Sequence, residues 1–446
     1  MATIYDSHLL RALRVTPNAS QTRSKAPGQV GPAFGPGDAT DFPLFAVRGE
    51  GPYLWDDRGR KYLDCFGANA AIPLGYAYWP VVEAIVEALS HGSLLSLPHV
   101  RELTISERFL ELCAPWAHQV RWTKTGSEAL HAAVLIARAY THRAVVLVAD
   151  SAYHGWHSWF QASHALDLKG QRVHAGLSRG SDYAWCADDT FPNGTPACYG
   201  HTIGVYRYGD LESVREVAAR AAGTSQRPGS APQSCVAAVL VEPHRWEPTD
   251  RAWLVALRDW CRANGALLIF DELVYGLRWA KGGAAEYFNV EPDLACFGKA
   301  LGNGVPIACV CGPTHLMTAA GSYVSGTYFG DTIGLAAAGA VLEVYDDRGI
   351  EGVIDRLWTN GRRTWEGFAA TAPSGAHLEG QAVHWRLAAT GDLLDFTLAQ
   401  AASMGVLIHR SSNNASAAMS QAEARHAGEV LGESLCVATE MVQRSS

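Results

Sequence analysis

Strand-length apolar segments alternate with helical ones between about residues 120 and 312, and this alternation restricts the possible folds more than any other feature of the chain. Five segments are apolar at consecutive positions: AVVLVAD, CVAAVLVEP, ALLIFDEL, LACFG and PIACVCG. Two others have the apolar spacing of helices, SEALHAAVLIARAYTHR and RAWLVALRDWCRANG. Strands that are apolar on both faces and separated by helices are typical of a parallel sheet covered on both sides. The sequence therefore predicts an α/β domain with a mainly parallel sheet.

The pattern changes on either side of this region. Residues 1 to about 40 are rich in Pro, Gly and Ser and read as an arm, and GPYLWDDRGRKYLD then predicts a hairpin. Beyond about residue 326, a helix (IGLAAAGAVLEVYDDRG) and short strands around AVHWRLAAT and GVLIHR predict a smaller α+β domain. We expect an N-terminal arm with strands of the small domain (1–75), a large domain (76–325) and a C-terminal small domain (326–446).

Composition and charge exclude several function classes. A net charge of -8 without a cluster of Lys and Arg argues against nucleic-acid binding. The apolar segments are far shorter than the roughly 20 residues that cross a bilayer, and the first residues do not resemble a secretory signal. The ten cysteines are scattered and the 17 histidines form no H-E-x-x-H pattern, so we expect reduced thiols and no metal site. The expected location is the cytoplasm.

Chemically capable residues follow the predicted strands, where the active sites of parallel sheets lie. Lys299 stands in FGKALGNGVP, a segment that otherwise reads as interior, and an amine with little water around it can condense with an aldehyde. Asp271 ends an apolar strand, and its carboxylate needs a cationic partner such as a protonated ring nitrogen. Taken alone, an aspartate in this position is also typical of a turn cap.

Two further segments complete the pattern. Gly126 and Ser127 in TKTGSEAL stand directly before a helix, where free N–H groups bind phosphate, although an ordinary N-cap has the same sequence. The loop YHGWH presents Tyr153, which could cover a flat ring or could simply pack in an aromatic cluster. A phosphate site, a carboxylate, a stacking aromatic and an imine-forming lysine are together what pyridoxal 5'-phosphate (PLP) requires.

These segments make the chain resemble a class III PLP-dependent aminotransferase of fold type I, in the branch of glutamate-1-semialdehyde aminomutase. The resemblance covers about residues 22 to 345 and rests on GPYLWDDRGRKYLD, TGSEA, YHGWH, DEL, FGKALGNGVPIA and GTYFGDTIGLAAA. It implies a mainly parallel seven-stranded sheet between helices, with a smaller α+β domain. It also implies a homodimer with shared active sites.

The resemblance assigns a role to each residue. Lys299 forms the Schiff base (internal aldimine), Asp271 pairs with the pyridine nitrogen and Tyr153 stacks on the ring; these three are the catalytic residues. The cofactor-binding set is Gly126, Ser127, Tyr153, His154, Glu242, Asp271, Leu273, Lys299 and Thr327. Thr327 reaches the phosphate of the neighbouring subunit, Leu273 packs on the opposite ring face, and Glu242 lies near O3'.

The implied reaction is a ping-pong transfer of an amino group between a small-molecule donor and a carbonyl acceptor. An aminomutase or racemase would use the same residues, and a PLP-binding protein without catalysis is the alternative from another class. No arginine matches the aminomutase position for the substrate carboxylate; Arg23 and Arg48 are out of register. The long segment 167–202, with Arg172, Arg179 and Tyr183, is interpreted as either a substrate lid or surface decoration.

Overall fold

The computed structural model describes residues 4–29, 45–150, 152–161, 196–224, 235–244, 246, 249–346 and 352–445. The chain forms two compact units, one of Met1–Ala84 with Glu343–Ser446 and one of Ile85–Leu342. The domain boundaries drawn from the sequence stay a prediction. No helix in these ranges is both long enough and apolar enough to cross a bilayer.

The strands of both units are numbered here in chain order. They are β1 (Ala46–Glu50), β2 (Tyr53–Asp56), β3 (Lys61–Asp64), β4 (Gln119–Thr123), β5 (Val145–Ala149), β6 (Ile203–Tyr206), β7 (Val236–Val241), β8 (Leu267–Asp271), β9 (Leu294–Phe297), β10 (Ala308–Gly312), β11 (Leu378–Gln381), β12 (His384–Leu387), β13 (Val406–Leu407) and β14 (Asn413–Asn414). The α-helices are Ile4–Val15, Gly67–Ala70, Trp79–His91, Val100–Cys113, Gly126–Thr141, Leu211–Thr224, Arg251–Asn264, Gly283–Phe288, Thr314–Met317, Thr332–Asp346, Val353–Thr371, Gly391–Ser403 and Gln421–Ser445.

A seven-stranded sheet with the order β4-β10-β9-β8-β7-β5-β6 forms the centre of the unit Ile85–Leu342. Strand β10 runs antiparallel to both of its neighbours, whereas the pairs from β9 to β6 are all parallel. Every residue of β5, β7 and β8 is buried, as expected for strands covered on both faces. The predicted fold class is confirmed.

Helix Gly126–Thr141 begins at an N-cap that the sequence specifies. The Thr125 hydroxyl accepts a hydrogen bond from the amide of Glu128, and the Glu128 carboxylate accepts one from the amide of Thr125, which is a capping box. Seven apolar side chains of this helix are buried in the core of the unit: Ala129, Leu130, Ala132, Ala133, Val134, Ile136 and Ala137. The capping box and this apolar face together fix the helix N-terminus against the sheet.

Two strands and four helices of this unit were missing from the sequence-based expectation, and two of these helices, Gly283–Phe288 and Thr314–Met317, are only six and four residues long. Strand β4 (QVRWT) alternates polar and apolar residues and ends the sheet, and β6 (IGVY) follows the polar segment that obscured it. Helices Val100–Cys113 and Leu211–Thr224 are largely polar. Short or polar elements carry weak periodicity, and tertiary packing decides them.

The other unit holds two small sheets, with the orders β1-β2-β3-β13 and β11-β12-β14, packed with helices Val353–Thr371, Gly391–Ser403 and Gln421–Ser445. The pairing of β3 with β13 joins sequence-distant parts of the chain in one sheet. The N-terminal segment also lies on this unit, where the Arg410 amide donates to Gln29 and the His409 ring donates to the carbonyl of Ser24.

Candidate active site

Three ionisable side chains follow neighbouring strands at one edge of the seven-stranded sheet. Glu242 directly follows β7, Asp271 is the last residue of β8, and Lys299 lies two residues beyond β9. Because β7, β8 and β9 are adjacent and parallel, their carboxyl ends meet at the same edge. The sheet therefore brings together three groups that are between 28 and 57 residues apart in the sequence.

Asp271 is a buried carboxylate held from two sides. Its side chain accepts hydrogen bonds from the Leu273 amide (3.1 Å) and from Nδ1 of His154 (2.8 Å). Asp271 and His154 are 3% and 1% exposed, and Nε2 of His154 has no hydrogen-bond partner. The two hydrogen bonds fix the orientation of this carboxylate at the edge of the sheet.

Lys299 begins a 3-10 turn directly after Gly298 and has a left-handed backbone, with φ at +47°. A non-glycine residue in this conformation carries strain, which structures retain mainly at functional positions. Loss of water around the partly buried ammonium lowers the pKa of Lys299, and the nearby charge of Arg278 lowers it further; the charges of Asp271 and Glu242 oppose this shift. The result is an amine that gives up its proton more easily than a surface lysine.

The N-terminus of helix Gly126–Thr141 lies beside the YHGWH loop. The His157 Nε2 donates to the carbonyl of Ser127 at 2.9 Å. A Cβ added at Gly155, where φ is +98°, would lie 2.5 Å from the Ser127 hydroxyl, so only glycine allows this approach. The loop is thereby held against the first turn of the helix, where free N–H groups can bind an anion.

Leu273 connects the helix N-terminus with the lysine turn. A Cβ added at Gly126 would lie 2.4 Å from Leu273 Cδ1, and one added at Gly298 would lie 2.7 Å from Leu273 Cδ2. Any larger residue at either glycine would push this side chain away. Gly126 and the residue before Lys299 therefore both lie against Leu273, two residues after Asp271.

Two other predicted residues, Tyr153 and Thr327, have exposed side chains. Tyr153 is 57% exposed, and partial burial together with the negative charge of Asp271 raises the pKa of its phenol. Thr327 is exposed, and no hydrogen bond joins it to the edge residues within the described ranges. The candidate lid contacts Arg172, Arg179 and Tyr183 lie outside the described residues.

Two buried residues beside the site, Arg278 and Glu272, received no role from the sequence, although Glu272 stands among the capable groups that follow the strands. Arg278 is 1% exposed and electrostatically coupled to Lys299. Glu272 is fully buried, accepts hydrogen bonds from the amides of Ala284 and Ala285, and has its pKa raised to about 8 by burial and, to a smaller extent, by the charge of Asp271. A charged residue inside an otherwise apolar segment was the available signal for both.

His244 is a buried histidine whose ring has no hydrogen-bond partner among the described residues. It is 1% exposed, its ring lies 4.7 Å from that of Trp279, and neither of its ring nitrogens has a hydrogen-bond partner. Burial lowers the pKa of His244 to about 4. The imidazole is therefore neutral at neutral pH.

The residues at this edge fit PLP as a resident cofactor. The site offers a buried carboxylate for a protonated ring nitrogen, a helix N-terminus for a phosphate and an amine with a lowered pKa for an aldehyde. The ring of His154, which contacts the same carboxylate through Nδ1, has an unpartnered Nε2. An α/β fold with a parallel sheet and this set of groups defines a PLP-dependent enzyme.

Comparison with known proteins identifies the family. The class III aminotransferase family (Aminotransferase class-III) matches residues 34–360. Glutamate-1-semialdehyde 2,1-aminomutase of Desulforapulum autotrophicum is 32% identical over 321 residues, which are 70% of this chain and 68% of that protein. The enzyme of the same name from Methanopyrus kandleri is 32% identical over 348 residues, 71% of this chain and 74% of that protein.

Solved structures show the same fold. The PLP internal aldimine form of the FumI protein of Sphingopyxis sp. MTA144 has a TM-score of 0.81 at 23% identity, covering 98% of this chain and 97% of that one. An omega-transaminase from Sphaerobacter thermophilus has a TM-score of 0.80 at 22% identity, covering 98% of each chain. The chain belongs to the class III aminotransferase family. It is a PLP-dependent aminotransferase.

Proposed function

We propose that the enzyme moves an amino group from a small-molecule donor to a separate carbonyl acceptor in a ping-pong reaction, with Lys299 as its central catalytic residue. The observation that carries this proposal is the lowered pKa of the partly buried Lys299 at the edge that also holds Asp271. The two substrates use one site in turn, because a single lysine and a single carboxylate serve both halves of the reaction.

When bound, PLP supplies an aldehyde carbon that condenses with amines and a ring that accepts the electron pair released at the substrate carbon. The Asp271 carboxylate would pair with the protonated ring nitrogen, and His154 and the Leu273 amide hold this carboxylate in place. The Lys299 amine would take the proton from the substrate carbon and deliver it to C4', the aldehyde-derived carbon of the cofactor. Gly126 and Ser127 bind the phosphate, which anchors the cofactor.

Three further residues complete the proposed site. Tyr153 covers one face of the ring and Leu273 packs on the other, a role supported by its contacts with Gly126 and Gly298. Glu242, whose charge acts on Lys299, lies on the O3' side.

A homodimer in which Thr327 reaches the phosphate of the partner subunit is part of the proposal. Support comes from an apolar surface that the single chain leaves exposed. Its main part, here called the apolar stretch 86–103, consists of Val86, Leu89, Leu94, Leu95, Leu97, Val100 and Leu103, between 42% and 78% exposed. Tyr323 and Tyr328, on either side of Thr327, are 92% and 62% exposed. We propose a second copy of the chain as the occupant.

The two exposed regions adjoin each other. The Thr332 hydroxyl donates to the carbonyl of Gly92 at 2.8 Å, and a Cβ at Gly330 would lie 2.7 Å from the carboxyl carbon of Glu102. The segment that carries Thr327 is therefore continuous with the apolar stretch 86–103, as a shared interface requires. A cytoplasmic location is also proposed, supported by the eight described cysteines, which are all free.

The decisive experiment follows the amino group. Protein reconstituted with PLP is mixed with single candidate amines, drawn from amino acids, amino sugars and simple amines, and its absorbance spectrum and the released products are recorded. Ping-pong transfer yields one equivalent of carbonyl product per site before any acceptor is added. A protein that stays colourless with PLP would refute the proposal.

The aminomutase or racemase reading is the second candidate, favoured by the names of the relatives. It predicts that the substrate is rearranged without stoichiometric carbonyl release. Arg48, one arginine considered for a substrate carboxylate, pairs instead with Glu50 at 3.0 Å and lies over the ring of Trp55 at 4.0 Å.

A further inference from the structure

Lys124 forms a partly buried ion pair that the reaction as described above does not use. Its Nζ lies 2.5 Å from Oδ2 of Asp331, and the two side chains are 23% and 10% exposed. The partners are 207 residues apart in the sequence, and both belong to the unit Ile85–Leu342. An ion pair withdrawn from solvent fixes its two segments more firmly than a surface pair does.

On the Asp331 side, the pair lies at the first turn of helix Thr332–Asp346. Asp331 Oδ1 accepts a hydrogen bond from the amide of Gly334 at 3.0 Å, as an N-cap does. A Cβ at Gly334 would lie 3.1 Å from Nζ of Lys124, so the ammonium lies directly against this turn. A cation at a helix N-terminus is unfavourable, because the helix dipole is positive there. The placement of Lys124 is therefore not explained by the stability of this helix.

On the Lys124 side, the backbone is already rigid. The amide of Lys124 donates to Oε2 of Glu128 at 3.1 Å, beside the capping box of helix Gly126–Thr141. The backbone of Lys124 is thus held in place two residues before the phosphate-binding Gly126. Its side chain extends from the phosphate site to Asp331, four residues beyond Thr327.

The segment between Thr327 and Asp331 depends on this anchor. The described hydrogen bonds inside it are local turns, Phe329 amide to Gly326 carbonyl and Asp331 amide to Tyr328 carbonyl. Thr327 and Tyr328 are exposed, so packing within one chain does not hold them. The Asp331 carboxylate, bonded to both Lys124 and Gly334, ties the end of this segment to the unit Ile85–Leu342, next to the contact of Gly330 with Glu102.

We propose that Lys124 is a positioning residue that acts in trans: through Asp331 it holds the segment 326–331 so that Thr327 meets the cofactor phosphate bound by the partner subunit. Each subunit's Lys124 would then serve its neighbour's active site rather than its own. The inference rests on the proposed homodimer with a shared Thr327. Because it concerns phosphate alone, it predicts an effect on PLP that is absent for pyridoxal, which lacks the phosphate.

The test uses hybrid dimers of full-length chains carrying two affinity tags. One subunit, the silent subunit, carries Lys299→Ala and cannot be labelled at that position, whereas the other, the active subunit, keeps Lys299. Covalent loading of the active subunit is measured by mass spectrometry after borohydride reduction at increasing PLP or pyridoxal concentration. This readout is independent of turnover.

Lys124→Met in the silent subunit is expected to raise the PLP concentration for half-loading of the active subunit about tenfold, since one charge-assisted contact to phosphate is lost. Loading with pyridoxal stays unchanged. The same substitution in the active subunit leaves PLP loading of that subunit within about twofold, and Lys124→Arg in the silent subunit restores loading. A Lys124→Met effect confined to the active subunit, or equal for PLP and pyridoxal, would overturn the inference.

Thr327→Val in the silent subunit separates this inference from the proposed function. If Thr327→Val weakens PLP loading and Lys124→Met does not, then the shared phosphate site stands and the role of Lys124 is refuted. If Thr327→Val has no effect, the shared site itself fails, and the inference fails with it. Asp331→Asn in the silent subunit should match Lys124→Met, and the double variant should be no worse than either single one.

Discussion

Two regions of the unit Ile85–Leu342 invert the usual distribution of residues. The carboxyl edge of the seven-stranded sheet buries Asp271, Glu272 and Arg278, whereas the apolar stretch 86–103 leaves large aliphatic side chains in solvent. Charges are costly to bury and apolar surface is costly to expose. We propose that each inversion marks a binding site. We expect a cofactor at the first and a second subunit at the other.

The largest expected effect is a loss of activity that leaves the dimer intact. Lys299→Ala should lower kcat by up to about 10⁴-fold, because the residue that moves the proton is removed. The dimer should form as before, as measured by sedimentation. Lys281→Ala, a partly buried lysine of the same unit, is the matched control and should keep activity. Substantial turnover by Lys299→Ala would break the assignment of this edge as the active site.

Asp271→Asn tests whether charge, rather than shape, matters at the edge. An amide cannot hold the ring nitrogen protonated, so kcat should fall about 10²- to 10³-fold while PLP still binds. Asp293→Asn is the matched control, because the Asp293 carboxylate accepts a hydrogen bond from Leu268 (2.7 Å) near the opposite end of β8. The control should lose stability but not kcat per folded molecule. Equal losses of kcat in both variants would show that replacing either carboxylate disturbs β8, and that the charge of Asp271 has no separate role in catalysis.

Leu97→Glu addresses the apolar stretch 86–103. Leu97 is 78% exposed, so the change should leave the folded chain intact but weaken dimerisation by at least about 10²-fold, since a charge would be buried in the interface. Size-exclusion chromatography with light scattering measures this. Val437→Glu, an exposed residue on the last helix, is the control. An unchanged dimer would remove this surface from the proposed interface.

Glu272→Gln tests the raised pKa of the buried Glu272 carboxyl through the pH dependence of stability. The pKa of Glu272 is about 8 in the folded protein against 4.5 ordinarily, so between these pH values the folded state retains a proton that the unfolded chain has lost. This group therefore makes stability fall as pH rises from about 4.5 to about 8, by up to about 1.4 kcal/mol per pH unit. Glu272→Gln should flatten the fall in urea midpoint between pH 6 and 8. An unchanged slope would contradict the raised pKa.

The smallest effect is expected at His244. Because neither ring nitrogen has a partner, His244→Leu should be neutral or stabilising by about 1 kcal/mol. The gain should be larger at pH 5 than at pH 7, since the pKa of about 4 makes this histidine lose stability as pH falls below 6.5. His409→Leu is the matched control: its pKa is also about 4, but its ring bonds to Ser24 and Ser411, so the variant should be destabilised. The comparison is read from urea unfolding midpoints.

Much of the fold was predictable because its central strands are apolar at consecutive positions. Strands β5, β7 and β8 and helix Gly126–Thr141 coincide with the predicted segments within a few residues. Strand β4 was not predicted, because one polar face at the end of a sheet gives no continuous apolar run. Lys299 and Asp271 were predictable as charged residues inside apolar sequence. Of the two glycines that touch Leu273, Gly126 was predicted as part of a phosphate site, and Gly298 received no role from the sequence.

The amino-acid sequence by itself determined the parallel α/β core and the residue types of the site, since both depend on local patterns of apolar and ionisable side chains. Only the tertiary structure decided that His154 supports Asp271, that Leu273 lies against two glycines and that Lys124 reaches Asp331. These contacts join residues up to 207 positions apart. Which distant side chains meet is set by the order and direction of the strands, which no local pattern encodes.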